Sequence, residues 1–307
     1  MRDKFNSAFY EQICETVKSE QIHFDEPLDK HTTFRVGGPA DYFIEVASAE
    51  EIAELLRYFY LIEKPFYVIG NGSNLLVSDK GYSGVILSLC KNMSGISLEG
   101  DQIRAGGGAM LSSVARLAAE NSLKGLEFAA GIPGTMGGAV VMNAGAFGGE
   151  IAQVLKEIEA VTEDGSILHL TKDELELGYR TSLLKKRRMV CTEVILQLQP
   201  GNGEEILSRM EEIKAERRAK QPLEYPSAGS TFKRPEGYYA GKLIMDANLR
   251  GLQIGGARVS DKHCGFIINT GNATAADIKE LMDEVTERVK LTQGVRLEPE
   301  VCMLGDF

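Results

Sequence analysis

Residues 125–149 read GLEFAAGIPGTMGGAVVMNAGAFGG, and the reading of this stretch decides the fold. Eight of its twenty-five residues are glycine, and apart from Glu127 none carries a charge. Such a composition does not suit a solvated loop. It suits backbone that must pass close to a large flat group or a diphosphate, because only glycine lets main-chain N–H groups approach without a Cβ in the way. A second loop of the same kind lies upstream in residues 68–79, VIGNGSNLLVSD. Two such loops on one chain point to a ligand of dinucleotide size.

Neither loop fits the common phosphate-binding motifs. Gly70-Asn71-Gly72-Ser73-Asn74-Leu75 opens like G-x-G-x-x-G but lacks the third glycine, and Leu75-Leu76-Val77 reads as a strand. A Rossmann turn needs a helix N-terminus to meet the pyrophosphate, so that reading fails. Residues 237–243, GYYAGKL, resemble a Walker loop but are one residue short, with Leu243 where Ser or Thr would hold a metal. What remains is a strand–loop–strand cradle in which successive N–H groups bind an anion without a helix dipole. A tight glycine turn with no ligand is the bland alternative.

The chain has 307 residues, 43% hydrophobic and 25% charged, which is ordinary for a globular protein. A net charge of −10 disfavours a general nucleic-acid surface. Cys14, Cys90, Cys191, Cys264 and Cys302 are odd in number, scattered and without a C-x-x-C pair, which argues against a disulfide framework and against zinc. There is no signal-peptide core and no eighteen-residue apolar run. A reduced, cytoplasmic protein with no membrane or nucleic-acid partner is expected.

Local patterns give a mixed architecture. Residues 1–20 look like an amphipathic helix. Residues 48–64 form a stronger one, with Ser48 and Glu51 as a capping box, an Ile52, Leu55, Leu56, Phe59 stripe, and Pro65 as the stop. Strand patterns at 42–46 and 66–69 flank it, with further strands at 85–89, 102–105 and 189–198 and a helix at 112–121. Asp164-Gly165 between alternating apolar residues predicts a hairpin over 158–170. Residues 203–220 read as a charged, solvated connecting helix stopped by Pro222. Beyond a boundary near residue 200, a loop at 225–239, a helix at 241–247, a strand at 265–270, a helix capped by Thr274 with Asp277, and a closing strand near Glu300 form a second unit.

Several polar residues are candidates for chemistry. Arg180, in Tyr179-Arg180-Thr181-Ser182, is open between ion pairing and substrate contact, while the run 185–188 reads as surface. Residues 227–235, SAGSTFKRP, crowd hydroxyls and cations into a small-residue loop, where Ser230 is either a turn residue or a catalyst. Glu300 is an edge charge or a positioned acid. No histidine pairs with Ser or Cys in a nucleophile motif, which disfavours a hydrolase triad.

In this order, the stretches 31–40 (HTTFRVGGPA), 70–78, 125–149, 179–182, 227–235, 240–271 and 297–301 resemble the UDP-N-acetylenolpyruvoylglucosamine reductase family of peptidoglycan precursor synthesis, in its shorter-loop subtype. Seven matching stretches from about residue 30 to the C-terminus are specific where one would be weak. The resemblance implies an α+β protein. Residues 1–29 would be an N-terminal helical segment and 30–198 a two-subdomain FAD-binding lobe of the vanillyl-alcohol-oxidase (PCMH) type. Residues 199–307 would be a smaller α+β substrate-binding lobe. It implies that NADPH reduces FAD, which then delivers hydride to UDP-N-acetylglucosamine enolpyruvate, giving UDP-N-acetylmuramate. A monomer is expected.

By the same resemblance, Ser230 is the proton donor, and Arg180 and Glu300 polarise the substrate carboxylate; Glu300 must be protonated or hydrogen-bonded to a charged partner to help an enolate. Gly70, Asn71, Gly72, Ser73, Asn74 and Leu75 are expected at the FAD pyrophosphate. Gly131, Ile132, Pro133, Gly134, Thr135, Gly137, Gly138, Asn143, Gly145 and Ala146 are expected along the flavin and adenosine. Residues 31–38 brace or line that cradle, and Lys233 and Arg234 meet the UDP diphosphate. Rival readings are a sugar or alcohol oxidase of the same flavin fold and a non-catalytic nucleotide-binding module. The loop Gly-Asn-Gly-Ser-Asn has no histidine to tether a flavin, which favours a non-covalent cofactor.

Overall fold

Ser48 starts the clearest local element. Its Oγ accepts from the Glu51 N–H at 3.2 Å and opens the helix Ala49–Leu61. The reciprocal arm of the expected capping box goes elsewhere: Glu51 accepts from the Ala47 N–H at 2.7 Å and from the Gln21 carboxamide at 3.1 Å. Ile52, Leu55, Leu56 and Phe59 are buried, as their 3.6-residue spacing requires. The computed structural model describes residues 6–307, so the part of the N-terminal helix expected over 1–5 lies outside the described residues. The observed helix is shorter than expected: it spans Ser7–Ile13, capped by Asn6, and a 3₁₀ turn Ser19–Gln21 comes after it. Phe9 and Ile13 are buried, and the Phe9 ring meets that of Tyr42 edge-on at 4.8 Å.

The chain divides into two units. The first comprises, among the described residues, 6–24, 41–71 and 84–215. One sheet runs in the order Ile22–Pro27, Pro39–Glu45, Tyr82–Ser88, Phe66–Ile69, with the last two strands parallel. Helix Ala49–Leu61 and the N-terminal helix share its apolar cluster. The other sheet is antiparallel, in the order Ile167–Thr171, Leu155–Val161, Val190–Gln197, Gln102–Gly106, Ile96–Glu99. The predicted hairpin closes with Gly165 at φ +77° and the Thr162 N–H on the Ser166 carbonyl. Helices Leu111–Glu120 and Met136–Val141 pack into a second cluster.

The charged helix Gly203–Lys220 differs from its expectation. Ile206, Met210 and Ile213 fall on one stripe and are buried in that cluster, at 5%, 5% and 1% exposure. Three apolar side chains suffice to dock a helix whose composition reads as solvated, each worth about 1.5–3 kcal/mol when fully buried.

The second unit gathers residues 25–40, 72–83 and 216–307. Its three-stranded antiparallel sheet runs Gln253–Ile254, Ala257–Val259, Ile267–Asn269. The long helix Ala275–Gln293 buries Ile278, Leu281, Met282, Val285 and Val289 and ends at Gly294 with φ +70°. Its start carries the full capping box of Thr274 and Asp277, and the Thr274 N–H holds the Asp277 carboxyl below the usual carboxylate range. Asp79 adds a second clamp, accepting from the N–H groups of Ala275 and Ala276 at 2.8 and 2.9 Å. Strand Leu75–Val77 pairs in parallel with Cys302–Leu304, so the predicted closing strand lies just beyond Glu300.

Asp79→Ala removes a carboxylate from a helix start and is expected to cost about 1–2 kcal/mol. The thermal midpoint should fall by about 2–6 °C. An unchanged midpoint would show that Thr274 and Asp277 secure the helix alone.

Candidate active site

Strand Phe66–Ile69 delivers the chain to Gly70, and the chain leaves the loop as strand Leu75–Val77, not as a helix. In the first unit, the Asn71 carboxamide donates to the Pro133 carbonyl at 2.6 Å. A Cβ on Gly70 would collide with the Thr135 hydroxyl. The two glycine-rich stretches picked out by composition are therefore joined. Thr135 is buried and its hydroxyl accepts from the Gly138 N–H. The Gly134 carbonyl accepts from Leu111, and the Gly137 N–H donates to the Gly107 carbonyl. Gly137 leaves little room for a side chain, since a Cβ would sit 3.0 and 3.1 Å from the carbonyls of Gly107 and Cys191.

In the second unit, Gly72 adopts φ +57°, and a Cβ there would strike the His31 carbonyl. The Thr33 N–H donates to the Gly72 carbonyl at 3.3 Å, which ties Thr33 to this turn. The Thr33 hydroxyl oxygen is buried with no partner among the described residues. A buried polar atom of this kind beside a glycine turn suits a group that a bound anion completes. The residues present thus fit a phosphate-bearing cofactor.

Gly131, Pro133 and Gly138 are exposed, and Ile132 and Gly134 are half-buried. Asn143 is buried with φ +40°. Its carboxamide is used inside the protein, donating to the Gly178 carbonyl at 3.2 Å and accepting from Ala152 at 3.0 Å. Gly145 and Ala146 pair with Gly149–Glu150.

The Gly178 link leads to Arg180. Gly178 and Thr181 exchange backbone hydrogen bonds at 3.1 and 3.3 Å, which places Tyr179 and Arg180 at the tip of a tight turn. Arg180 has φ +55°, a conformation that a non-glycine residue adopts only when its surroundings demand it. Its guanidinium donates to the Gly145 carbonyl at 3.3 Å and lies 5.2 Å from the centre of the Tyr179 ring. Lys185, expected as plain surface, donates to the Arg180 carbonyl at 3.3 Å.

In the second unit Ser230 is exposed and follows Gly229, which has φ +74°. Its neighbour Thr231 is fully buried. The Thr231 N–H donates to the Gly265 carbonyl at 2.8 Å, its hydroxyl accepts from Ile267 at 3.0 Å, and its carbonyl accepts from the Glu300 N–H at 2.8 Å. The backbones carrying Ser230 and Glu300 therefore adjoin. The Glu300 carbonyl accepts from the Asn74 carboxamide at 3.1 Å, so that side chain is engaged within this unit.

Thr231 and His263 are not among the predicted residues. His263 Nδ1 accepts from the Gly265 N–H at 3.1 Å, and the His263 carbonyl accepts at 2.9 Å from the Phe266 N–H, which shares a peptide with the carbonyl that holds Thr231. Burial pushes the His263 pKa down, which preserves the neutral ring that the Nδ1 bond needs. A buried hydroxyl inside a small-residue loop was readable at Thr231; His263 left no such mark. Lys233 pairs with Glu298 at 3.1 Å, and the Arg234 guanidinium lies 4.0 Å from the centre of the Tyr239 ring. Lys242 of the Walker-like stretch pairs with Asp246 on its own helix, at 2.8 Å. The five cysteines are free thiols, and burial with Glu159 and Glu193 nearby pushes Cys191 up to about 12, leaving it inert.

Comparison with known proteins places these observations in a family. Residues 40–171 match the model described as FAD binding domain, and residues 221–304 match UDP-N-acetylenolpyruvoylglucosamine reductase, C-terminal domain. The UDP-N-acetylenolpyruvoylglucosamine reductase of Lachnoclostridium phytofermentans is 50% identical over 305 residues, covering 98% of each chain. The crystal structure of that reductase from Thermus caldophilus superposes with a TM-score of 0.80 at 38% identity, covering 92% of this chain and 98% of that one. A glucose dehydrogenase, Phl p 4.0202, shares the fold alone, with a TM-score of 0.50 at 13% identity over 64% of this chain and 45% of its own. The architecture is α+β with an FAD-binding lobe of the vanillyl-alcohol-oxidase type. With half of its residues identical across nearly its whole length, this chain belongs to the UDP-N-acetylenolpyruvoylglucosamine reductase family.

Proposed function

We propose that this protein reduces UDP-N-acetylglucosamine enolpyruvate to UDP-N-acetylmuramate, in peptidoglycan precursor synthesis, with NADPH as hydride donor and Ser230, Arg180 and Glu300 as catalytic residues. The observation that best supports the residue assignment is the Glu300 N–H bond to the Thr231 carbonyl, which couples the backbone of a proposed proton donor to that of a proposed carboxylate partner. FAD, when bound non-covalently, supplies the carrier that takes hydride from NADPH and passes it to the vinyl carbon.

The chain's own residues then manage charge. Hydride addition at the methylene carbon drives negative charge into the adjacent carboxylate. A guanidinium offers a fixed fork for a carboxylate, and Arg180 is held in one conformation by its turn. The exposed Ser230 hydroxyl gives its proton to the α-carbon, a transfer that is feasible because the acceptor is strongly basic. Lys233 and Arg234 are placed on the UDP diphosphate. An exposed pair such as Lys233–Glu298 is worth only about 0–1 kcal/mol, so exchanging Glu298 for a diphosphate costs little.

On this proposal Gly70, Asn71, Gly72, Ser73, Asn74, Leu75 and residues 131–138 are the ones assigned to FAD. In this reading residues 30–198 serve the cofactor and 199–307 the substrate. The protein works as a monomer in the cytoplasm; among the described residues no helix is long and apolar enough to cross a membrane.

Three measurements test the reading. The purified protein should show a flavin band that NADPH bleaches without oxygen and that returns on adding the enolpyruvyl sugar nucleotide; return only with oxygen would make it an oxidase. Ser230→Ala and Arg180→Ala should leave the NADPH step intact and slow reoxidation by substrate about 10²–10⁴-fold, read by stopped flow. An equal loss in both steps would remove either residue from its role. Gly70→Ala should lower flavin content after purification about tenfold through collision with Thr135, whereas full flavin content would place the cofactor elsewhere.

A further inference from the structure

We propose that Asn74 is a positioning residue for Glu300, holding the acid from within the loop that sequence motifs assign to the cofactor. This rests on the reading of Glu300 as catalytic. Two contacts converge on residues 300–302. The Asn74 carboxamide nitrogen donates to the Glu300 carbonyl at 3.1 Å, and the Asn74 backbone carbonyl accepts from the Cys302 N–H at 3.0 Å. From Leu75 onward the grip continues as the parallel pairing of Leu75–Val77 with Cys302–Leu304. Asn74 thus extends a short strand pair by one residue, using its side chain where the main-chain ladder stops.

The other side of the same residue is also held. The Glu300 N–H donates to the Thr231 carbonyl at 2.8 Å, and Pro299 bridges to Phe232. The Glu300 backbone is therefore clamped at its N–H by the Ser230 loop and at its carbonyl by Asn74. Releasing one clamp frees the backbone to rotate, and its side chain moves with it. Asparagine suits the task because it supplies an N–H donor at short reach. Aspartate has the same shape but presents only acceptors to a carbonyl, and serine offers no amide. Small displacements of a catalytic group are costly because its contribution depends on geometry held before the reaction begins.

The test is a double-mutant cycle on the FAD-loaded protein, with the two half-reactions followed separately by stopped flow. Asn74→Ala should slow reoxidation of the reduced flavin by the enolpyruvyl sugar nucleotide by about tenfold while flavin reduction by NADPH changes by less than about threefold. Once Glu300 is already alanine, Asn74→Ala should add less than about a factor of two, because there is no carboxyl left to position. Asn74→Asp keeps the shape, removes the donor, and should reproduce both results. The same slowing in the wild-type and Glu300→Ala backgrounds overturns the proposal. So does loss of FAD from both variants, since the side chain would then serve the cofactor. If Glu300→Ala alone leaves reoxidation fast, the catalytic reading of Glu300 has failed instead.

Discussion

Thr231 carries the second unit's site on three hydrogen bonds. Its N–H, its hydroxyl and its carbonyl each have a backbone partner, in Gly265, Ile267 and Glu300. The residue is fully buried, so a lost partner would leave a polar group with no water to turn to, at a cost of about 1–3 kcal/mol. Three segments far apart in sequence, around residues 231, 265 and 300, are thereby held to one geometry. His263 tightens the arrangement from behind, its ring holding the Gly265 N–H and its carbonyl the Phe266 N–H. The exposed Ser230 inherits a stable backbone from its buried neighbour, and a reactive hydroxyl needs such a rigid mount.

The first unit solves a different problem. Its glycine-rich stretches are closely packed: the approach of Gly70 to the Thr135 hydroxyl leaves no space for a side chain, and that of Gly137 to the Gly107 and Cys191 carbonyls leaves little. Asn143 and Arg180 share this constraint through Gly178 and Gly145, and both adopt positive φ. Strain accepted at two non-glycine residues in one hydrogen-bonded cluster marks a geometry that the surrounding bonds over-determine.

Much of this was legible in the sequence wherever the signal is local. Helix Ala49–Leu61 announces itself through Ser48 and an apolar stripe, and the 162–166 turn through Asp164-Gly165. Composition alone exposed the glycine stretches. The pairing of Leu75–Val77 with Cys302–Leu304 left no trace, because a three-residue buried strand carries no record of a partner more than two hundred residues away. For the same reason Asn74 read as a phosphate contact while its bond to Glu300 stayed invisible. The helix Gly203–Lys220 misled through averaging: Ile206, Met210 and Ile213 were outnumbered by charges on the other faces.

The second unit is discontinuous, drawing residues 25–40 and 72–83 together with 216–307. Strand Leu75–Val77 finds its partner only at Cys302–Leu304, and the Ser78 hydroxyl donates to the carbonyl of Asp306. A chain emerging from the ribosome must therefore extend past residue 306 before this unit can close, while the large sheet of the first unit is complete by Gln197. Synthesis from the N-terminus lets that sheet form early and leaves strand 75–77 waiting with its edge unpaired, a period of exposure to wrong partners. Removing residues 302–306 would act far upstream, on strand 75–77.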